Sequence, residues 1–110
     1  MNLNYPELNE IKIMNQNQPV FKQYAVGKGI DKNEYNSIIN AALTAYKNRM
    51  MPLSINTTNL IKNYINGEWF VFICELGSKY FDFCLTTVQG SDYMTFSLDN
   101  VLFQICRLRD

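Results

Sequence analysis

The sequence contains no histidine and only three cysteines, Cys74, Cys84 and Cys106. Without histidine, neither a Ser-His-Asp nor a Cys-His catalytic site can be built. No C-x-x-C pair is present, so a zinc site is not expected either. Gly27-Lys28-Gly29 is too short for a phosphate-binding loop. We therefore expect a protein that is not an enzyme and has no catalytic residue, no metal and no cofactor.

The chain also lacks an excess of charge of either sign and any long apolar run. Ten basic and ten acidic residues cancel, and nucleic-acid binding normally depends on a basic surface. No apolar stretch approaches the roughly 18 residues of a spanning helix, and the first residues lack the order of a signal peptide. We expect no nucleic-acid partner, no membrane and a cytoplasmic location, in which the cysteines are reduced core residues.

The N-terminal residues differ in composition from the rest. Residues 1–18 are polar and end in Asn15-Gln16-Asn17-Gln18, and two prolines, Pro6 and Pro19, interrupt this region. We predict a flexible Asn/Gln-rich extension over residues 1–18 and one folded domain over residues 19–110.

Two helices are predicted after a short strand over residues 20–26. Asp31 and Glu34 have the spacing of a capping box, and apolar residues then recur every three or four positions, which predicts a helix over residues 32–49. A second helix follows Pro52, with Ser54 or Asn56 as its expected N-cap, and ends near Gly67.

From Trp69 onward the apolar residues follow a period of two, which is typical of strands. Four strands are predicted, over residues 69–75, 80–87, 93–98 and 101–107. Asp99-Asn100 has the length of a hairpin turn. The helices precede the hairpin-linked strands, so we predict an α+β fold in which two packed helices cover one face of an antiparallel sheet.

Functional chemistry is therefore expected at the surface and at the sheet edge. An open edge presents unpaired N–H and C=O groups, which can accept a partner strand. The aromatic residues Phe81 and Phe83 are either core residues or part of such an interface. Acidic residues near strand ends are interpreted as solvated turn charges: Glu75, Asp82, Asp92 and Asp99.

The order of these elements resembles the small dynein light chain family of type 1/2, the homodimeric hub class. Glu68-Trp69 follows the second helix as the family's Trp does, and Gly77-Ser78 before Tyr80-Phe81 is similar to its Phe-Gly-Ser-Tyr-Val segment. The stretch from Asp92 to Arg107 aligns without a gap with the family's closing strands. The resemblance covers about residues 20–108 and has no counterpart for the first 18.

This resemblance implies a dimer in which one strand crosses to the partner's sheet and borders a groove for an extended peptide. The crossing strand would comprise Gly77, Ser78, Tyr80, Phe81, Asp82, Phe83, Cys84 and Leu85. Trp69, Thr95 and Ser97 would flank the groove. The implied partners are segments of dynein intermediate or heavy chains, together with a second copy or another light chain.

The sequence also departs from the family pattern. Thr95 and Ser97 replace two tyrosines of the penultimate strand, and Asp82-Phe83 stands where the family has Thr-His. Such changes indicate a groove specialised for one partner, or a heterodimer. Together with the Asn-rich and Lys-rich composition, they favour an axonemal dynein, in the cilium and microtubule cytoskeleton, over the general cytoplasmic hub.

Two other hypotheses remain open. The chain could be an unrelated, monomeric α+β interaction domain that docks in a larger assembly. It could also be a small enzyme or ligand-binding protein that uses Cys84 or the carboxylates, which requires a thiol of unusual reactivity.

Overall fold

A computed structural model describes residues 18–77 and 92–108 of the chain. Its elements, in chain order, are β1 (Phe21–Val26), α1 (Lys32–Lys47), α2 (Leu53–Tyr64), β2 (Glu68–Glu75), β3 (Tyr93–Leu98) and β4 (Val101–Leu108). The α+β fold with two helices packed on an antiparallel sheet is confirmed. The strand predicted over residues 80–87 lies outside the described residues.

The four described strands form one antiparallel sheet in the order β1-β3-β4-β2. β3 and β4 are a hairpin in which Leu98 pairs with Val101, as the Asp99-Asn100 turn predicts. The β2 and β4 strands pair without interruption from Glu68 opposite Leu108 to Glu75 opposite Val101. β1 and β2 are therefore the outer strands of the described sheet.

The predicted capping box begins α1. The Glu34 backbone N–H donates to Asp31 Oδ1 over 2.8 Å, and the Asp31 N–H donates to Glu34 Oε1 over 3.1 Å. These two bonds satisfy donors that a helix start leaves free. The helix ends at Lys47, two residues before the predicted end, because Arg49 has a φ of 53° and leaves the helical conformation.

The predicted cap of α2 is wrong. The helix begins at Leu53, Pro52 is the N-cap, and neither Ser54 nor Asn56 caps it. Pro52 has an extended backbone with a φ of −71°. Because proline has no backbone N–H, it leaves no donor there that needs a hydrogen-bond partner. Leu53 is buried in the core, which favours starting the helix there. Asn56 instead donates through its side chain to the Pro52 carbonyl over 2.9 Å.

One face of the sheet packs on both helices and forms the core. Every second strand residue points to this face, and these residues join the apolar stripes of α1 and α2 in a single cluster. The fully buried members include Tyr35, Ile38, Ile39, Ile61, Met94, Phe96, Phe103 and Ile105. The Phe96 and Phe103 rings stack with centroids 5.2 Å apart.

The second face of the sheet points away from the helices. At its centre Thr95, Ser97, Leu102 and Gln104 are all buried, with at most 3% of each residue exposed. On the outer strand β2, the alternate residues Phe70 and Phe72 remain 45% and 43% exposed. The second face is thus closed at its centre and open along β2.

Asp99 joins the hairpin turn to the start of the domain. Its Oδ1 accepts a hydrogen bond from the Val20 N–H over 2.9 Å, and its own N–H donates to the Val20 carbonyl over 2.8 Å. The Tyr46 hydroxyl donates to Asp99 Oδ2 over 2.9 Å. Asp99 therefore fixes the chain where it enters β1 and connects this point to α1.

Candidate partner-binding sheet edge

The outer edge of β2 is the clearest candidate for a strand-binding surface. Its sequence, Glu68 to Glu75, is rich in β-branched and aromatic residues, which favours an extended strand. Within residues 18–77 and 92–108, β2 pairs with β4 alone. An outer strand of this kind has a second edge along which a further strand can bond.

The side chains of β2 are apolar on both faces of the sheet. Trp69, Val71 and Ile73 face the helices, whereas Phe70 and Phe72 face the other way. Natural edge strands are usually protected by charge, proline or a bulge. In β2 charged residues occur only at the ends, Glu68 and Glu75, and the intervening stretch is aromatic and aliphatic.

Leu108, the last residue of β4, extends this apolar surface. It pairs with Glu68 at the end of the strand and is 62% exposed. Phe70, Phe72 and Leu108 have the same alternation and lie on the same face. We call these three residues the β2 apolar stripe. Its exposure in a single chain indicates an interaction surface.

Trp69 lies at the start of β2 but on the helix side. Only 3% of it is exposed, and the Arg107 guanidinium lies 4.8 Å from the ring centre. This distance is that of a cation–π contact. Gly67 precedes it with a φ of +125°, and a Cβ there would lie 2.7 Å from Arg107 Cδ. Gly67 thus permits Arg107 to lie over the indole.

Arg107 also forms a partly buried ionic cluster. Its Nε donates to Asp92 Oδ2 over 2.8 Å and its Nη1 to Glu34 Oε2 over 2.7 Å. Nη2 donates to the Gly29 carbonyl over 3.3 Å. Burial lowers the pKa of Arg107, but its hydrogen bonds and charge contacts with Glu34 and Asp92 outweigh this, so the pKa is raised. The guanidinium is charged at any relevant pH.

The interpretation of Asp92 as a solvated turn charge is wrong. Its side chain is 5% exposed and paired with Arg107. A carboxylate can be buried there because the guanidinium offers several donors in one plane. The sequence gives a weak signal for this pair, since the two residues lie at the outer ends of the β3–β4 hairpin.

The residues predicted to flank the groove do not share one face. Thr95 and Ser97 lie on the second face, in the central strand β3, whereas Trp69 faces the helices. β4 lies between β3 and β2, so Thr95 and Ser97 are two strand spacings, roughly 10 Å, from β2. The structure brings Thr95 and Ser97 together and places Trp69 apart from them.

Most residues of the predicted crossing strand lie outside the described part of the chain. Gly77 is described: it follows β2 with a φ of +84°, in a turn that begins at Leu76. Ser78, Tyr80, Phe81, Asp82, Phe83, Cys84 and Leu85 lie in the undescribed stretch. Their assignment stays a prediction.

The two described cysteines are reduced, as predicted, but they lie on the second face of the sheet and are not fully buried core residues. Cys74 and Cys106 are each partly buried. Burial raises the pKa of the Cys106 thiol, which lowers its thiolate fraction at neutral pH. Cys84 lies outside the described residues.

Within the described ranges, no group of three or more His, Cys, Asp or Glu side chains is placed to hold a metal ion. None of the helices over residues 18–77 and 92–108 is long and apolar enough to span a membrane. A scan against models of known protein families finds no match, and a search of curated proteins finds no significant match.

Proposed function

We propose that this chain is a non-catalytic dynein light chain subunit that dimerises and binds extended segments of dynein intermediate or heavy chains, in an axonemal dynein complex. The element order supports this proposal. A strand, two helices and a strand opened by Trp69 precede the closing hairpin, which is the order that the resemblance implies.

The observation that carries the proposal is the outer edge of β2. It lacks a strand partner within the described residues, and the exposed Phe70 and Phe72 lie beside it. β2 ends at Glu75, immediately before the predicted crossing strand that begins at Gly77. We infer that the crossing strand of a second copy, or of another light chain, adds to this edge.

A strand added to β2 would supply two kinds of stabilisation. Its backbone would bond along the outer edge of β2, and its side chains would cover part of the β2 apolar stripe. Its own outer edge would then become the new edge of the sheet. An extended dynein segment would bind there through main-chain bonds, with selectivity from neighbouring side chains.

The test is Phe81→Asp in the full chain, which places a charge in the middle of the predicted crossing strand. We expect loss of the dimer and loss of binding to peptides from dynein intermediate and heavy chains. Tyr64→Asp is the matched control, because Tyr64 is 72% exposed and lies beside Ser37 and Asn40 of α1, between the two helices. An unchanged dimer with unchanged peptide capture would contradict the strand assignment.

One observation favours a second candidate, a monomeric α+β interaction domain that docks in a larger assembly. The centre of the second face, at Thr95, Ser97, Leu102 and Gln104, is buried within a single chain. That part of the sheet needs no partner subunit to exclude water. This candidate predicts one constant mass in solution and no strand exchange.

A further inference from the structure

The two outer strands of the described sheet differ in how their edges are protected. In β1 the pairing with β3 shifts between Gln23 and Ala25, as at a β-bulge, and the exposed Lys22 lies with its Nζ 5.2 Å from the centre of the Tyr24 ring. A bulge and an outward lysine are two features that prevent strand addition at natural edges. β2 has neither, since its register with β4 is continuous over the whole strand. Of these two strands, β2 is therefore the one suited to accept a partner strand.

A groove lies between β2 and α2. It is a cavity of about 250 Å³ whose lining includes Ile55 and Asn59 of α2 and Trp69, Phe70 and Val71 of β2. Phe70 points to the second face, whereas Trp69 and Val71 point to the helices, so a cavity that touches all three lies at the margin of the strand. The opposite margin is paired with β4, so the groove follows the outer one. We call it the α2–β2 groove.

The α2–β2 groove has exposed apolar walls, since Ile55 is 57% and Phe70 45% exposed. Its volume is below the roughly 300–1,000 Å³ of small-molecule sites and suits a single side chain. Successive side chains of a strand point to opposite faces, so a strand paired with β2 would direct every second residue toward the helices and into this groove. Its other residues would lie beside the β2 apolar stripe. We therefore expect a partner strand that is apolar on both faces.

The two ends of β2 indicate the charge of that partner strand. Glu68 and Glu75 are both exposed. Lys62 lies 3.9 Å from Glu68, whereas Glu75 has no ion pair within residues 18–77 and 92–108. If the β2 strands of two copies paired antiparallel over their full length, Glu68 of each copy would lie opposite Glu75 of the other, and like charges directly opposite destabilise a strand pair. A strand with a basic residue beside Glu75 is complementary instead.

We propose that the strand added to β2 is apolar on both faces and basic at the end beside Glu75, and that one of its helix-facing side chains fills the α2–β2 groove beside Ile55. This inference rests on the strand addition described under the proposed function, and it adds the chemistry of the added strand. Ile55 selects for an apolar side chain on the helix side, and Glu75 selects for positive charge at one end.

Fluorescence anisotropy of labelled peptides with the full-length chain tests this proposal. The reference peptide, Lys-Val-Ile-Val-Phe-Val-Lys, is apolar on both faces and basic at both ends. The acidic peptide has glutamate in place of both lysines, and the threonine peptide has threonine in place of all three valines, which removes one apolar face. A strand of a second copy that competes for β2 lowers the affinity for all three peptides alike, so the ratios between their affinities report on the binding surface.

The reference peptide is expected to bind about three- to fivefold more tightly than the acidic peptide, which is the size of an exposed charge pair. Glu75→Gln should reduce this ratio. The reference peptide should bind about tenfold more tightly than the threonine peptide, because the valines bury apolar area in the groove, and Ile55→Ala should bring this second ratio to about twofold. Tyr64→Ala is the matched control, because Tyr64 is 72% exposed at the other end of α2 and should leave both ratios unchanged.

Three results would overturn the proposal: no binding of the reference peptide, equal affinities for the three peptides, or ratios that neither Ile55→Ala nor Glu75→Gln changes. These results are distinct from a failure of the proposed dimer. A chain that stays monomeric in sedimentation but discriminates between the peptides through Ile55 and Glu75 would contradict the dimer and support this inference. A dimer that does not discriminate between the peptides would overturn this inference and leave the dimer in place.

Discussion

The Arg107 guanidinium donates to Glu34 over 2.7 Å and so joins the last strand to the first turn of α1. Glu34 is also the residue that completes the capping box with Asp31. On its other side Arg107 binds Asp92, the first described residue before β3. One side chain therefore connects the helix start to both ends of the closing hairpin.

Replacing Arg107 with methionine is expected to destabilise the fold by about 3–5 kcal/mol, because it removes the guanidinium that pairs with the buried carboxylate of Asp92 and with Glu34. The midpoint of urea unfolding measures this loss. Lys62→Met is the matched control: the Lys62–Glu68 pair is 3.9 Å apart and exposed, so its removal should cost less than about 1 kcal/mol. Equal midpoints for the two variants would contradict the role given to Arg107.

Gly67→Ala should cost more stability than Gly77→Ala. Both glycines have positive φ, of +125° and +84°, so an alanine at either position incurs backbone strain of about 1–3 kcal/mol. At Gly67 the new methyl group also collides with Arg107, whereas among the described residues no atom lies within 4 Å of a Cβ at Gly77. The difference between the melting temperatures of the two variants measures the effect of the contact with Arg107. A lower melting temperature for Gly77→Ala than for Gly67→Ala would refute this account.

The pKa of Tyr46 is raised, first by burial and then by its hydrogen bond and charge contact with Asp99. A phenol whose folded pKa is raised stabilises the fold below its unfolded pKa of about 10, and this stability is lost as pH rises through the folded pKa. Tyr46→Phe should therefore show a weaker loss of stability above pH 10 than the wild type.

Ultraviolet titration at alkaline pH provides a second measurement on the same residue. Asp99→Asn removes the negative charge but keeps a side-chain acceptor, and Asn tolerates the φ of 54° found at this position. We expect it to lower the pKa of Tyr46 part of the way, because burial, the larger cause, remains. An unchanged tyrosine titration would contradict the Tyr46–Asp99 bond.

The β2 apolar stripe is predicted to contribute to self-association. Phe70→Lys combined with Phe72→Lys should weaken the dimer while changing monomer stability little, because both rings are about half exposed. Tyr64→Lys, which changes an exposed aromatic residue between α1 and α2, should leave the association constant unaffected. Sedimentation equilibrium measures the association constant of each variant. Equal association constants for the double phenylalanine variant and the control would argue against an interface at β2.

Much of the described fold could be predicted from the sequence because its signals are local. The Asp31 and Glu34 spacing specifies the start of α1, and the alternation after Trp69 specifies β2. The start of α2 could not be predicted in this way. The polar side chains of Ser54 and Asn56 compete with burial of Leu53, and only the tertiary packing decides between them.

The site was less predictable, since it depends on which strands are neighbours. Thr95 and Trp69 appear as comparable groove residues in the sequence, yet the sheet order separates them by face and by strand. The sequence shows that β2 has apolar residues on both of its faces. Phe70 and Phe72 are the apolar residues of the face that points away from the helices. Their exposure follows from the position of β2 at the edge, which no local pattern gives.

Sedimentation velocity of the full-length chain over a wide concentration range tests the central claim most directly. A light chain that exchanges strands through the β2 edge predicts a reversible shift from monomer to dimer mass as concentration rises, and loss of that shift in Phe81→Asp. A constant monomer mass at every concentration would contradict the homodimer and favour the monomeric interaction domain.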